Sequence, residues 1–312
     1  SIVICAWISW QLVTYLRRIL PRKTVKTKGK AVVITGCDSG FGHMLALSLV
    51  KRGFTVYACC LQPESEDAKL LFNKSGFSPN MQIVSLDVTD ETSVKQAFDS
   101  IFFAICIRNE KLWALVNNAG IIQSSEVEWG SFETFLKIFD VNVFGMVRVT
   151  RQFLSVIRLH KARIINMGSV SSHFTAPTLT AYSMSKYAVA AFSNGLRREM
   201  EKWNVDVIEI QPDTYRTPMT KITAMVEGLE KNWQSTDIEI QKQYGVEYFV
   251  ATKAYLHSNL SKARKYPEEV ISAFENVILS PKVYHLSLLV CGWHNRLIIW
   301  LFDTLPPQWI EP

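Results

Sequence analysis

The sequence predicts an α/β fold in which a doubly wound parallel sheet forms a single domain, and three observations carry that prediction. Short β-branched apolar runs alternate with longer helix-like stretches through the middle of the chain, as expected for strands buried on both faces by crossover helices. A glycine-rich turn follows the first of these runs and opens directly into a helix-like segment. The 312 residues, 48% of them hydrophobic and 20% charged, suffice for one large core, and neither an internal repeat nor a low-complexity linker divides them.

Along the chain, strands are expected at 31–35, 55–60, 82–86, 114–116, 163–166 and 205–210. Helices are expected to begin near Gly42, Ser93, Phe132 and Tyr182, the last two being longer than the others. From Thr214 to about Tyr266 the pattern turns polar and amphipathic, without a clear strand. A doubly wound sheet binds ligands beyond the carboxyl ends of its strands, so an insertion here, at about 214–266, is expected to form a substrate lid.

The formal charge of +6 is concentrated at one end. Before Asp38 stand seven basic residues, Arg17, Arg18, Arg22, Lys23, Lys26, Lys28 and Lys30, and no acid; taking them from the total of 34 leaves 27 basic against 28 acidic residues. No basic face with groove-reading partners follows from this pattern, which excludes a general nucleic-acid binder. The basic cluster instead flanks an apolar stretch, 2–16, that contains Trp7, Trp10 and Tyr15. Residues 1–28 therefore read as a hydrophobic membrane anchor with its basic flank, a removed targeting peptide being the alternative. The catalytic domain is expected to span 29–285. At the far end, 286–312 is rich in Leu, Ile and Trp but interrupted by His294, Asn295 and Arg296. It reads as an amphipathic segment dipping into one leaflet, or as a helix packed on the domain or on a dimer partner. Membrane lipid is thus an expected partner. The six cysteines show no paired spacing and the histidines no zinc spacing, so reduced thiols and no catalytic metal are expected.

The chemistry is carried by two constellations. In Thr35-Gly36-Cys37-Asp38-Ser39-Gly40-Phe41-Gly42 the glycines permit a tight backbone path and close approach of a pyrophosphate, whose charge is favoured by free amides at a helix start. In Tyr182-Ser183-Met184-Ser185-Lys186, the phenol and the ammonium lie four residues apart on one helical face. An ammonium there stabilises a phenolate and so favours Tyr182 as a base. Ser169, at the end of the fifth expected strand in Asn166-Met167-Gly168-Ser169, offers a hydroxyl to hold a substrate oxygen toward that base.

With these residues in place the chain resembles the short-chain dehydrogenase/reductase superfamily over roughly residues 29 to 285. The ordered match comprises the Thr35 to Gly42 turn, Asp87-Val88 after the third strand, Asn117-Asn118-Ala119-Gly120 after the fourth, Asn142 in a helix, Ser169, and Tyr182 with Lys186. The resemblance implies a Rossmann-type fold in which Gly36, Asp38, Ser39, Gly40, Phe41 and Gly42 cradle the cofactor. It also implies that Asp87 and Val88 border the adenine, and that Asn118, Ala119 and Gly120 line the cofactor cleft. Tyr182 exchanges the substrate proton while hydride passes between carbinol carbon and nicotinamide, and Asn142 helps hold a water in a proton relay reaching Lys186. A helix kink or a satisfied core amide is the other reading of Asn142. One departure stands out. Where the family usually has Pro-Gly after the sixth strand, this chain has Pro212-Asp213, and if the second position requires a positive φ, aspartate is poorly suited. The nicotinamide-side contacts of Pro212, Tyr215 and Thr217 depend on that turn.

Asp38 in the turn would repel a ribose phosphate, which favours NAD over NADP, although 58–61 lacks the acid that typically marks NAD enzymes. Within the superfamily the chain is similar to the branch of retinol dehydrogenases, oxidative 17β- and 11β-hydroxysteroid dehydrogenases and membrane-bound 3-hydroxybutyrate dehydrogenase. That branch implies a membrane location, the endoplasmic reticulum first and the mitochondrial inner membrane second. Hydroxybutyrate enzymes carry a basic residue ten positions after the serine, where this chain has Leu179. A lipophilic retinoid or steroid alcohol is therefore the expected substrate, with 3-hydroxybutyrate as the alternative through Arg216. A non-catalytic NAD(H)-binding scaffold or sensor is the alternative of another class. The resemblance also implies a homodimer through 132–158 and 182–202.

Overall fold

The structure, a computed structural model, describes residues 24–283 and 287–304. Seven parallel strands form one sheet: β1 (Lys30–Thr35), β2 (Thr55–Cys60), β3 (Met81–Ser85), β4 (Lys111–Asn117), β5 (Arg163–Met167), β6 (Val207–Pro212) and β7 (Ser287–Val290), in the spatial order β3-β2-β1-β4-β5-β6-β7. Successive side chains of a strand point to opposite faces, and β1 shows the consequence. Val32 and Ile34 join one apolar layer with α1 (Gly40–Lys51), α2 (Glu66–Lys74) and α10 (Glu268–Leu279). Ala31 and Val33 join the other with α3 (Glu91–Ile107), α5 (Met146–His160) and α6 (Thr180–Met200). β1 lies between β2 and β4, so successive crossovers leave it in opposite directions and open a crevice at the carboxyl ends of the strands.

All six expected strands and all four expected helix starts are present to within a few residues. Two elements were not foreseen. Helix α2 is short, begins with Ser65 accepting from the Ala68 amide, and buries only Ala68 and Leu71, too few positions for a visible period. Strand β7 lies beyond residue 285, where the sequence reading ends the domain, and pairs along β6 from Glu209 opposite Ser287 to Pro212 opposite Val290. A four-residue apolar run is equally compatible with a buried strand and with a membrane-facing segment, and pairing with β6 decides for the strand. The helix after it, α11 (Trp293–Thr304), returns to the domain: Ile299 is buried beside Val170 and Cys291, and Asn295 donates to Asp213. The apolar stretch 2–16 and residues 305–310 lie outside the described residues. No helix among the described residues is long and apolar enough to cross a membrane.

The insertion after β6 is helical, as its pattern suggests, with a short turn at Pro218–Thr220 followed by α7 (Ile222–Gln234), α8 (Ile238–Tyr244) and α9 (Val246–Ser261). A bridge between Tyr215 and Arg264 clips its two ends together. Its own core is aromatic: Trp233 stacks on Phe249 at 4.9 Å and meets Trp129 edge-on at 4.7 Å.

Candidate active site

The glycine turn is shaped by backbone contacts. Gly36 and Gly40 have φ of +68° and +62°, values that side-chain-bearing residues rarely adopt. A Cβ at Gly42 would collide with the Gly36 carbonyl oxygen and lie 2.6 Å from Asn118 Nδ2. Asn118 Nδ2 in turn donates to the carbonyls of Thr35 and Gly36 at 2.9 Å, while the Asn118 and Ala119 amides donate to Thr35 Oγ1 at 3.0 Å. The end of β4 thus holds the turn open. Ser39 leads into α1 without a side-chain cap, so the first helical amides are left for an anion. A Cβ built on Gly40 would meet nothing within 4 Å, so the turn borders open space there.

Asp38 reaches across to the end of β2, where its carboxylate accepts from the amides of Leu61 at 3.0 Å and Gln62 at 3.1 Å. An acid from the turn therefore stands where the sequence of β2 itself supplies none. Asp87 accepts from the amide and hydroxyl of Thr89 at 2.8 and 2.7 Å. Val88 packs closely on Gly145, where any Cβ would press into its side chain. Gly36, Asp38, Ser39, Gly40, Leu61, Asp87, Val88, Asn118 and Ala119 line one continuous cavity of about 870 Å³, which also takes in Ser169, Tyr182, Lys186, Pro212, Tyr215 and Thr217.

Around Tyr182 the groups gather as the sequence requires. Ser169 shares a hydrogen bond with the Tyr182 hydroxyl, and its own oxygen accepts from the Ser171 amide at 3.1 Å. Lys186 is buried, donates to the Met167 carbonyl at 2.9 Å, and lies 5.5 Å from the Tyr182 ring centre. Burial pushes the Tyr182 phenol up to about 12, the Ser169 hydrogen bond acting the other way. Tyr182 keeps some exposed area, but its surroundings are dense enough for desolvation to dominate. Burial also brings Lys186 down to about 8, opposed by the Glu209 carboxylate. In the protein by itself, desolvation sets the phenol high, and the Ser169 hydrogen bond is what opposes it.

Asn142 sits in a π-helical segment, Asp140–Gly145, that interrupts the long helix between α4 (Glu133–Phe139) and α5. Its amide is fully used: the oxygen accepts from the Ile121 amide at 2.8 Å, and the nitrogen donates to the Ile121 carbonyl and Ser185 Oγ at 2.9 and 3.0 Å. Ser185 then donates to the Tyr182 carbonyl at 2.6 Å. The satisfied core amide describes Asn142, and through Ser185 its side chain braces the helix that carries Tyr182.

Asp213 does not adopt a positive φ, which removes the concern over its replacing glycine. Its amide donates to Val290 of β7 at 3.0 Å, and its carboxylate accepts from the Thr214 amide and Asn295. The turn after β6 is therefore held by β7 and α11 rather than by glycine geometry. Tyr215 is fully buried, its hydroxyl donating to Glu269 at 2.8 Å and its ring set edge-on to Phe41. Thr217 pairs with Thr220 to cap the turn into the insertion. Arg216 points elsewhere: its guanidinium donates to the carbonyls of Ser261 and Ala263 at the end of α9, and it does not line the cavity.

The far end of the cavity was not foreseen residue by residue. Phe174, Pro177, Leu179, Met225, Tyr255 and Leu256 form apolar walls, with Asn259 and Thr178 as polar members, and Lys137 and Asp140 line the same cavity. The walls come from three separate segments, and only Leu179 drew attention through its spacing from Ser169. Among the described residues no group of three or more His, Cys, Asp or Glu is placed to hold a metal, and the described cysteines are free.

The profile of the family described as short chain dehydrogenase matches residues 30–227. The Rattus norvegicus protein named 17-beta-hydroxysteroid dehydrogenase type 6 is 34% identical over 283 residues, 90% of this chain and 86% of that one. The Mus musculus protein named D-beta-hydroxybutyrate dehydrogenase, mitochondrial, is 32% identical over 270 residues, 86% of this chain and 79% of that one. Among solved structures, a short chain dehydrogenase/reductase from Burkholderia phymatum in complex with NAD superposes with a TM-score of 0.71 over 89% of this chain and 94% of that one. At 19% identity that likeness is one of fold.

Proposed function

This chain belongs to the short-chain dehydrogenase family and is an oxidoreductase of CH–OH groups, and on that premise we propose that it interconverts a lipophilic secondary or allylic alcohol, steroid- or retinoid-like, with its carbonyl using NAD. The observation that carries the substrate class is the apolar wall of Phe174, Pro177, Leu179, Met225 and Leu256 in the cavity that holds Ser169 and Tyr182. A carboxylate substrate needs a cation there. Leu179 supplies none and Arg216 is spent on α9, so neither position expected to hold a carboxylate serves it, despite the similarity to the hydroxybutyrate enzyme; Lys137 is the cation in the cavity lining that the 3-hydroxybutyrate arm of the test addresses.

The residues present fit a nicotinamide dinucleotide, because the open space at Gly40 and the uncapped start of α1 offer an anion site beside the Asp38 carboxylate. When bound, the cofactor supplies hydride transfer and, in its oxidised form, a positive charge near Tyr182. Asp38, held by the Leu61 and Gln62 amides, favours a ribose diol over a phosphorylated ribose, which supports NAD. Ser169 holds the substrate oxygen, and Tyr182 takes its proton in oxidation or returns it in reduction. Lys186 favours the phenolate once charged, and Asn142 braces the Tyr182 helix through Ser185. The insertion at 214–266 acts as lid over the apolar end. Residues 1–28 and the end of 286–312 attach the protein to a membrane, the endoplasmic reticulum before the mitochondrial inner membrane. A homodimer through 132–158 and 182–202 is supported by the exposed Phe132, Phe144, Met184 and Tyr187.

The test is NAD- and NADP-dependent turnover of the detergent-solubilised protein with a retinol, a panel of hydroxysteroids and 3-hydroxybutyrate, beside Tyr182→Phe. Lipophilic turnover reduced by about 100-fold or more in the variant, with NADH binding kept, is the expected result. Turnover of 3-hydroxybutyrate alone would sink the apolar-pocket argument, and cofactor binding without any turnover would favour a scaffold.

A further inference from the structure

Beneath Lys186 lies a carboxylate that none of the residues above requires. Glu209 stands in the middle of β6, opposite Asn166 of β5, and is only 4% exposed. Ile208 and Ile210 turn into the layer of α1 and α10, so strand alternation turns Glu209 toward α6. There it presses on Gly168, where any Cβ would collide with its Oε1. Lys186 Nζ donates to the Met167 carbonyl, so the ammonium and the carboxylate stand at two adjacent residues, Met167 and Gly168. Glu209 Oε1 is buried without a hydrogen-bond partner among the described residues.

Such a group costs several kcal/mol if it is charged and unaccompanied. The groups facing it are the Gln211 amide on β6, Lys186 and Arg197 on α6, and His173 after β5. Gln211 is itself anchored by Ser172, His173 and Ser287, which fixes the polar layer between β6, β7 and the turn after Ser169. Of the cations, Lys186 is the one buried in the cavity, and Glu209 is the one acid that acts on it.

We propose that Glu209 is a positioning residue that keeps Lys186 charged, a buried counter-ion that reaches the reaction only through the lysine. The inference rests on the reading that Lys186 serves Tyr182. Its physical content is a balance: burial favours the neutral amine and brings Lys186 down to about 8, and Glu209 is what opposes a further fall. Without the anion the amine is neutral over more of the working pH range, and the charge that favours the Tyr182 phenolate is lost.

The experiment follows the Lys186 Cε resonance in the full detergent-solubilised chain carrying ¹³C-labelled lysine, assigned by its loss in Lys186→Arg. In Glu209→Gln the midpoint is expected to move down by about one pH unit or more, and the alkaline limb of turnover to move down with it. An unmoved midpoint in a folded Glu209→Gln overturns the proposal. Where that variant does not fold, the Glu209 carboxyl carbon of the unmodified chain is followed across the Lys186 titration, and silence there overturns it equally. The resonance needs no substrate. A shifted midpoint in a protein that turns over nothing leaves the charge coupling standing and sinks the reaction, whereas turnover with an unmoved midpoint sinks the coupling alone.

Discussion

At one end of the cavity main-chain atoms set the shape, and at the other side chains do. The cofactor end is drawn by Gly36, Gly40 and Gly42, with Asn118 and Thr35 clipping the turn to β4 through four hydrogen bonds between 2.9 and 3.0 Å. The substrate end is drawn by Phe174, Leu179, Met225, Tyr255 and Leu256, which touch through apolar surface and come from segments far apart in the chain. A backbone-defined site tolerates no added Cβ but is indifferent to what lies further off. A side-chain-defined site is the reverse: single substitutions are accommodated, and what they change is selectivity.

The sharpest way to break this contrast is at the cofactor end. Gly42→Ala forces a methyl onto the Gly36 carbonyl, a strain of about 1–3 kcal/mol that the fixed backbone cannot relieve. Cofactor affinity, read by NADH fluorescence, is expected to fall about tenfold or more with a lower melting temperature. Unchanged affinity would mean that the turn is softer than its contacts imply.

At the substrate end, Leu179→Arg places a charge in an apolar wall. Turnover of a lipophilic alcohol is expected to fall by about tenfold, through a desolvation cost of one to three kcal/mol, while NADH affinity stays as it was. A parallel loss of cofactor binding would show that the two ends are not independent. The smallest effect is expected at the border of the turn. Asp38→Ala removes the carboxylate that caps Leu61 and Gln62, and the preference for NAD over NADP, measured as a ratio of kcat/KM, is expected to drop by about fivefold. A ratio that stays put would leave NAD selectivity without a source in this residue.

The same contrast explains what could be read from the chain. The glycine turn, Asn118 to Gly120, and the Tyr182 and Lys186 pair are local patterns, because their chemistry needs particular residue types within one turn or one helix face. Strands buried on both faces are legible for a similar reason, since every position in Ala31 to Thr35 must be apolar or small. Strand β7 was read as a membrane-facing run because four apolar residues look alike in either setting. The missing acid at the end of β2 was noted, yet its replacement by Asp38 appears only when the turn is folded against Leu61. Concern over Asp213 also came from a local rule, and it dissolves because β7 and Asn295 hold that turn instead.

By itself the sequence determined the doubly wound sheet, the glycine turn and the candidate reacting groups Ser169, Tyr182 and Lys186, because each depends on periodicity or spacing along a single element. The tertiary structure decided the protonation balance of those groups. Tyr182 sits high and Lys186 low because of what packs around them, and Glu209 opposes the fall of Lys186 from a strand that the spacing of Tyr182 and Lys186 does not reach. Desolvation and charge pairing act through space over a few ångströms, and only the fold says which residues share that space.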